Sequence, residues 1–405
     1  MRKMKRLCLI GISLCISFFM TPDGSQLFAV GDGILTPLKI VVVDVGHGDC
    51  IWIRTPDDGI KGNGKYEGYN IIIDGGPSSK RIIDIIPPLG LKYGSKIDWM
   101  INTHAHNDHY RGLIGMLDIY KVRRVLDPGY QSGGTAFGAF CWRALIEPES
   151  TFYSPAIGIA TIPGLKSLNQ SVPYPLDWGK ELDVEILYSN PAVSDDTVNE
   201  SSIVIRMEYN LFSMLFTGDE EGKYRPDSYG FNDPDHPMKV EKYLLDQYVD
   251  EDNNRLKSTI IKIPHHGSET SSTTPFIKAV GAKEGIICAG NRHGLPDETV
   301  IKRYEENGCR VWRTDRMDEG KKGSESHGDD TVIITSNGID YDIQYKNIDP
   351  RDTAVLAKKK REESERRMRD EAEKKRAEEL AAATKGDVEG EEKDPDAEPV
   401  LNTLD

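Results

Sequence analysis

Thr103-His104-Ala105-His106-Asn107-Asp108-His109, entered from the apolar run Ile97-Asp98-Trp99-Met100-Ile101, is the stretch that decides how this chain is read. It places three imidazoles and a carboxylate within six residues. Left bare in a core, each such group costs roughly 1–3 kcal/mol in unmade hydrogen bonds, so the four call for a common partner. Imidazole nitrogen with carboxylate oxygen, and no thiolate close in sequence, is the donor set of Zn2+ or of a harder ion such as Mn2+. A short strand stopping before this stretch puts His104 and His106 on one side of an extended segment, where both can reach one ion. Asp108 and His109 enter the next turn and can reach a second. Of the nine histidines in the chain, five fall here or in Pro264-His265-His266-Gly267, which argues against an incidental polar loop.

The stretch resembles the HxHxDH signature of the metallo-β-lactamase superfamily, matched by His104, His106, Asp108 and His109. Further pieces follow in the family's order. Thr217-Gly218-Asp219 is similar to its TGD. Pro264-His265-His266-Gly267-Ser268 resembles the PHHGS of the ComEC-type branch, the metallo-hydrolase domain of the competence DNA-uptake protein. Asp44-Val45-Gly46-His47-Gly48-Asp49 looks like that branch's DVGxGD entry, with His47 where glutamine is usual. The resemblance covers Leu38 to Tyr345 and implies an α/β (α+β) fold, an αββα sandwich of two mixed β-sheets flanked by helices.

It also implies a site. His104 and His106 hold a first divalent ion, Asp108, His109 and His266 hold a second, and Asp219 bridges them. Asp108 orients an attacking hydroxide generated from a water whose pKa falls toward about 7, so Asp108 and His266 are the catalytic candidates. Asp74, in Asp74-Gly75-Gly76, belongs beneath the site, where it accepts an imidazole N–H and fixes a ligand's tautomer. His265 touches the site or the substrate. The third histidine that the family often gives the first ion is missing, since none occurs from Tyr110 to Asp219. Asn199, in a segment similar to the branch's NxxS, stands in its place as a weaker oxygen ligand or a substrate contact. His293 is displaced from the family's position next to the proline, which leaves its role open.

At 405 residues, with 38% hydrophobic content, 38 Gly and 22 Pro, the chain has the composition of a loop-rich globular α/β protein. Strands are expected at Leu38 to Val45, Cys50 to Arg54 and Asn70 to Ile73, then a helix near Ser79 to Pro87. A helix from Tyr110 to Tyr120 and a strand from Val122 to Leu126 follow. The irregular stretch from Gly129 to Pro175 is a candidate specificity loop. The second half repeats the alternation, from the strand Leu182 to Tyr188 to the strand Ile339 to Tyr345.

Residues 1–29 read as a secretory signal peptide: Arg2, Lys3, Lys5 and Arg6, then the apolar Leu7 to Met20, then a cleavage site at Leu27-Phe28-Ala29. That makes the product secreted or periplasmic. An uncleaved membrane anchor is the alternative, although the run falls short of the roughly 20 residues that span a bilayer. Past the leader, Cys50, Cys141, Cys288 and Cys309 meet an oxidising compartment, with Cys288 and Cys309 the first disulfide to test and buried free thiols the alternative. The formal charge is −15; residues 1–29 carry four basic and one acidic side chain and residues 351–405 thirteen and seventeen, so residues 30–350 hold −14. Such a body repels polyphosphates at long range unless bound cations offset it.

The hydrolase domain is therefore expected over 30–348, followed by a charged helical segment at 349–385 and an acidic disordered tail at 386–405. That arm is either solvated or binds a protein partner. The whole points to a secreted metal-dependent hydrolase acting on a phosphodiester, nucleic acid included, with a lactone or other ester as the alternative substrate. A secreted metal-binding or scaffold protein without turnover is the reading from another class.

Overall fold

The computed structural model describes residues 18–20, 26–30, 33–130, 132–148, 150–153, 176–225, 233–290, 292–318 and 328–347. They belong to the first of two units, Met1–Asn347. The expected helical segment, the acidic tail and most of the candidate specificity loop lie outside the described residues.

Two sheets carry the body. The strands of the first are β1 (Leu38–Val42), β2 (Ile51–Arg54), β3 (Asn70–Ile73), β4 (Trp99–Ile101), β5 (Arg124–Leu126) and β6 (Thr151–Tyr153), completed near the chain's end by Val332–Ser336 and Tyr341–Tyr345. The second comprises β7 (Asp183–Tyr188), β8 (Val204–Tyr209), β9 (Phe212–Phe216), β10 (Ile260–Lys262), β11 (Glu284–Ile287) and β12 (Arg310–Arg313) in sequence order. Each sheet is mixed. β1 to β3 and β7 to β9 pair antiparallel, whereas β3 to β6 and β9 to β12 pair parallel.

The register explains the layering. Ile40, Ile53, Ile71 and Trp99 are successive cross-strand partners, and all four are buried in the core between the sheets, with Met207, Met214 and Ile260 facing them from the second sheet. The next row, Val41, Trp52, Ile72 and Met100, turns the other way because side chains alternate along a strand. It packs against helices α1 (Ser79–Leu89), α2 (Asn107–Ile119) and α3 (Thr135–Ile146). On the second sheet Val204, Leu215 and Ile261 do the same for α4 (Lys239–Tyr248), α5 (Thr274–Val280) and α6 (Glu298–Glu306). Strands buried on both faces need unbroken apolar runs, and each buried Ile, Val or Met contributes about 1.5–3 kcal/mol. The result is the expected αββα sandwich.

Several expectations need correction. Helix α2 starts at Asn107 rather than Tyr110, because His106 keeps an extended backbone and caps it; Asp108 and His109 thus sit in its first turn, where the helix dipole favours a carboxylate. Val122 to Leu126 is two short strands, Lys121–Val122 and Arg124–Leu126, in different sheets. For Cys288 and Cys309 the alternative reading holds: they are free thiols, buried on opposite faces of the second sheet, the first between the sheets and the second under the helices. Cys50 and Cys141 are buried and free as well.

Phe18–Met20, Gln26–Val30 and Gly33–Leu35 form a small antiparallel meander ahead of β1. Among the described residues no helix is long and apolar enough to cross a membrane.

Candidate metal centre

The strands that run in one direction end on one edge, and the polar residues of interest follow those ends. β1 leads to Asp44–Asp49, β3 to Asp74, β4 to His104, β9 to Asp219, β10 to His265 and His266, and β11 to Cys288. Helix α2 is drawn against this edge by two glycines. Gly75 N–H donates to His109 O at 2.7 Å and Gly112 N–H to Gly76 O at 2.9 Å, and a Cβ on Gly112 would overlap the Gly75 carbonyl. This close approach sets His109 over Asp74.

The side chains converge on Asp219. Its Oδ2 lies 3.2 Å from His109 Nε2, 3.0 Å from His266 Nε2 and 3.9 Å from His104 Nε2. His106 Nδ1 is 3.0 Å from His104 Nε2, and Asp108 Oδ2 is 3.4 Å from His266 Nε2. Neighbouring groups fix the ring tautomers. Thr103 Oγ1 donates to Asp74 Oδ2 at 2.7 Å, which leaves a lone pair to accept His104 Nδ1–H at 3.1 Å. His109 Nδ1–H donates to Asp74 Oδ2 at 2.8 Å and His266 Nδ1–H to the Cys288 carbonyl at 2.6 Å. All three rings therefore present Nε2 to the same space.

The electrostatics follow from this crowding. Burial opposes it, yet Asp219 and Asp74 hold His109 well above the usual imidazole range, and Asp219 with Asp108 hold His266 up at about 10. In return His266 and His109 overcome burial to hold Asp108 and Asp219 far below the carboxylate range. Burial and the His109 charge push His104 well down, and burial pushes His106 down, so both are neutral rings. The carboxylates draw positive charge to one point.

A family model for the metallo-beta-lactamase superfamily matches residues 44–291. The chain belongs to the metallo-beta-lactamase superfamily. Its fold binds divalent metal ions, and its members include metal-dependent hydrolases; this chain is one by family. It is similar to the ComE operon protein 3 of Bacillus subtilis, 24% identical over 299 residues that make up 69% of this chain and 32% of that protein. Competence protein ComA of Neisseria gonorrhoeae is 23% identical over 278 residues, 68% of this chain and 31% of that one. The chain thus spans about a third of the length of these curated relatives. Among solved structures, YhfI from Bacillus subtilis aligns with a TM-score of 0.37 and 11% identity, covering 69% of this chain and 98% of that one. Unliganded yeast PDE1 aligns with a TM-score of 0.38 and 11% identity, covering 68% and 97%.

The donors present fit such ions. Asp49, His109, Asp219 and His266 bring ligand atoms within 4.8 Å of one another, as do His47, Asp108 and His266. His266 Nε2 is buried, and its near neighbours are the carboxylate oxygens of Asp219 at 3.0 Å and Asp108 at 3.4 Å, an arrangement that suits donors gathered about a cation.

The sequence reading passed over several groups that the structure brings in. Lys262, the last residue of β10, is buried with its Nζ 2.6 Å from Asp49 Oδ2, 3.5 Å from Asp219 Oδ1 and donating to Gly218 O at 2.9 Å. Burial raises the Asp49 carboxyl above the usual carboxylate range, with the Lys262 ammonium pulling the other way; for Lys262 itself burial is outweighed by Asp49 and Asp219, which hold it above the usual lysine range. A lysine in an otherwise apolar strand was the available signal.

Asn199 keeps its Oδ1 buried and without a hydrogen-bond partner, while its amide nitrogen is engaged. Its Nδ2 lies 3.2 Å from His265 Nε2 and 3.2 Å from Glu221 Oε1. His265 in turn has Nδ1 2.7 Å from Thr270 Oγ1 and 3.2 Å from Glu221 Oε1. Ser202, at the end of the same segment, accepts the Asp219 N–H at 3.1 Å and so steadies the central carboxylate. His265 and His266 both adopt left-handed backbone, φ 46° and 53°, a strained turn that points consecutive imidazoles into one cleft.

Proposed function

We propose that this chain is an exported phosphodiesterase of the nuclease type, with His104 and His106 holding one divalent ion, Asp108, His109 and His266 a second, and Asp219 between them. Zn2+ suits the imidazole-rich set best, and Mn2+ is the alternative. Ions at these donors would supply Lewis acidity and a water made acidic enough to attack at neutral pH. Asp74 and the Cys288 carbonyl then serve as tautomer clamps for His109 and His266. Asp108, at the rim of the cleft, orients the attacking water. His265, steadied by Glu221 and Thr270, faces the substrate.

The cleft carries the choice of substrate. It has a volume of about 450 Å³, and its walls include His106, Arg225, His265, Thr270 and His293. Among the described lining residues Leu295 is the one apolar side chain. A phosphodiester finds donors on several sides, and the carboxylates of Asp108, Asp219, Glu269 and Asp297 on the same walls call for bound cations beside it. The −14 body is compatible with this once ions add positive charge at the cleft. One relative is named a competence protein, which is in keeping with nucleic acid within the class.

Protein loaded with Zn2+ or Mn2+ is expected to hydrolyse bis(p-nitrophenyl) phosphate and linear DNA, and to leave an acyl lactone and p-nitrophenyl acetate nearly untouched. Turnover of the lactone or acetate alone would reassign the substrate. A fully metallated protein inert toward all four would favour the non-catalytic reading.

Export is proposed from the basic start and the short apolar run of residues 1–29. Cleavage at Ala29 would cut the small meander within Gln26–Val30 and leave β1, paired to β2, intact. Cell-derived protein should therefore begin near Val30 on N-terminal sequencing, and an intact Met1 in the membrane fraction would mean an anchor.

A further inference from the structure

We propose that His47 is an additional ligand of the second ion, beside Asp108 and His266, which leaves the first ion as the more open, exchangeable one. The inference rests on the two-ion reading above. His47 stands where the resembling branch usually has glutamine, and the first geometric fact is the place to which the fold brings its ring. His47 Nε2 lies 3.5 Å from Asp108 Oδ2, and the His47 and His266 ring centroids are 4.4 Å apart.

The spacings suit ligands of one ion better than hydrogen-bond partners. Donors about 2.0–2.1 Å from a tetrahedral ion stand about 3.3 Å from each other. The pairs here are His47 Nε2 to Asp108 Oδ2 at 3.5 Å, His266 Nε2 to Asp108 Oδ2 at 3.4 Å and His109 Nε2 to Asp219 Oδ2 at 3.2 Å. A charge-assisted hydrogen bond would sit nearer about 2.8 Å. His47, Asp108 and His266 also form by themselves one of the clusters able to hold an ion.

The loop is built to hold the ring there. Gly48, at φ 135°, lies against the Asp108 carbonyl, where a Cβ would overlap it, and a Cβ on Gly290 would overlap the His47 backbone nitrogen. The ring is 6% exposed and its Nδ1 has no hydrogen-bond partner. Nothing in the hydrogen bonding of the described residues explains why a polar ring is buried at this spot.

Counting donors then separates the two ions. On the assignment proposed above, Asp108, His109, His266 and His47 go to the second with Asp219 shared, against His104 and His106 with Asp219 for the first. The first ion has positions left for a substrate oxygen.

Stepwise Zn2+ titration of the metal-free full chain against a chromophoric chelator tests this, with the visible absorption of the Co2+ form as a second readout. Wild type should take two ions in unequal steps. His47→Ala should weaken the tighter step at least about tenfold and alter the Co2+ band, while the weaker step stays put. His236→Ala removes an exposed imidazole that is not part of the cleft lining and should leave both steps unchanged. His47→Gln guards against a folding defect, since the amide fills similar space; it should fall between wild type and His47→Ala. An unchanged tight step in both His47 variants would overturn the assignment while leaving the two-ion reading standing. Uptake of fewer than two ions by wild type would overturn both.

Discussion

Asp219→Ala is expected to empty the centre of both ions and to lower kcat/KM by at least about 10^3-fold, the order of effect that follows when a metal-activated water is lost. The carboxylate is the one group within reach of all three presented nitrogens, 3.0 Å from His266, 3.2 Å from His109 and 3.9 Å from His104. His106→Ala, by contrast, removes a donor proposed for the first ion alone and should leave about one ion per chain. The fold should survive both changes. Asp219 follows β9 and is outside the apolar core between the sheets, so circular dichroism should stay that of wild type. Elemental analysis decides the matter, and unchanged metal stoichiometry in both variants would take these residues out of the ligand set.

The layout of the fold was legible because its strands are buried on two faces. Runs such as Asn70–Ile73 and Trp99–Ile101 leave no polar side to misread, and the motif residues fall immediately after them. The gathering of His104, His106, Asp108 and His109 at one edge was legible for a related reason: they are close in sequence, so their convergence could be inferred locally. What escaped was contact between distant segments. Lys262 and Asp49 are more than two hundred residues apart, and neither has a local pattern that announces the other. Asn199 was read by its place in a motif, but its bonds to His265 and Glu221 depend on a strained turn at residues 264–267 that periodicity does not reveal. The choice between a disulfide and free thiols at Cys288 and Cys309 turned on register: Cys288 follows the end of one strand, Cys309 precedes the start of its parallel neighbour, and the two are buried on opposite faces.

Lys262→Met should be the most destabilising change at the edge of the site. The substitution keeps the stem's volume and removes the ammonium, leaving the Asp49 carboxylate buried at 2% exposure with its close counter-ion gone. Breaking a buried pair in this way costs about 3–5 kcal/mol, which corresponds to a Tm lower by on the order of 10 °C. If the cost is the stranded charge, Asp49→Asn in the same chain should recover most of it, because an amide needs no counter-ion. Bound ions should also reduce the loss, since a cation beside Asp219 takes over part of what Lys262 Nζ does from 3.5 Å. Thermal unfolding of the single and double variants, each with and without Zn2+, separates these contributions. A double variant as unstable as Lys262→Met would mean that the lysine acts through its packed stem and its bond to the Gly218 carbonyl, and that Asp49 does not depend on its charge.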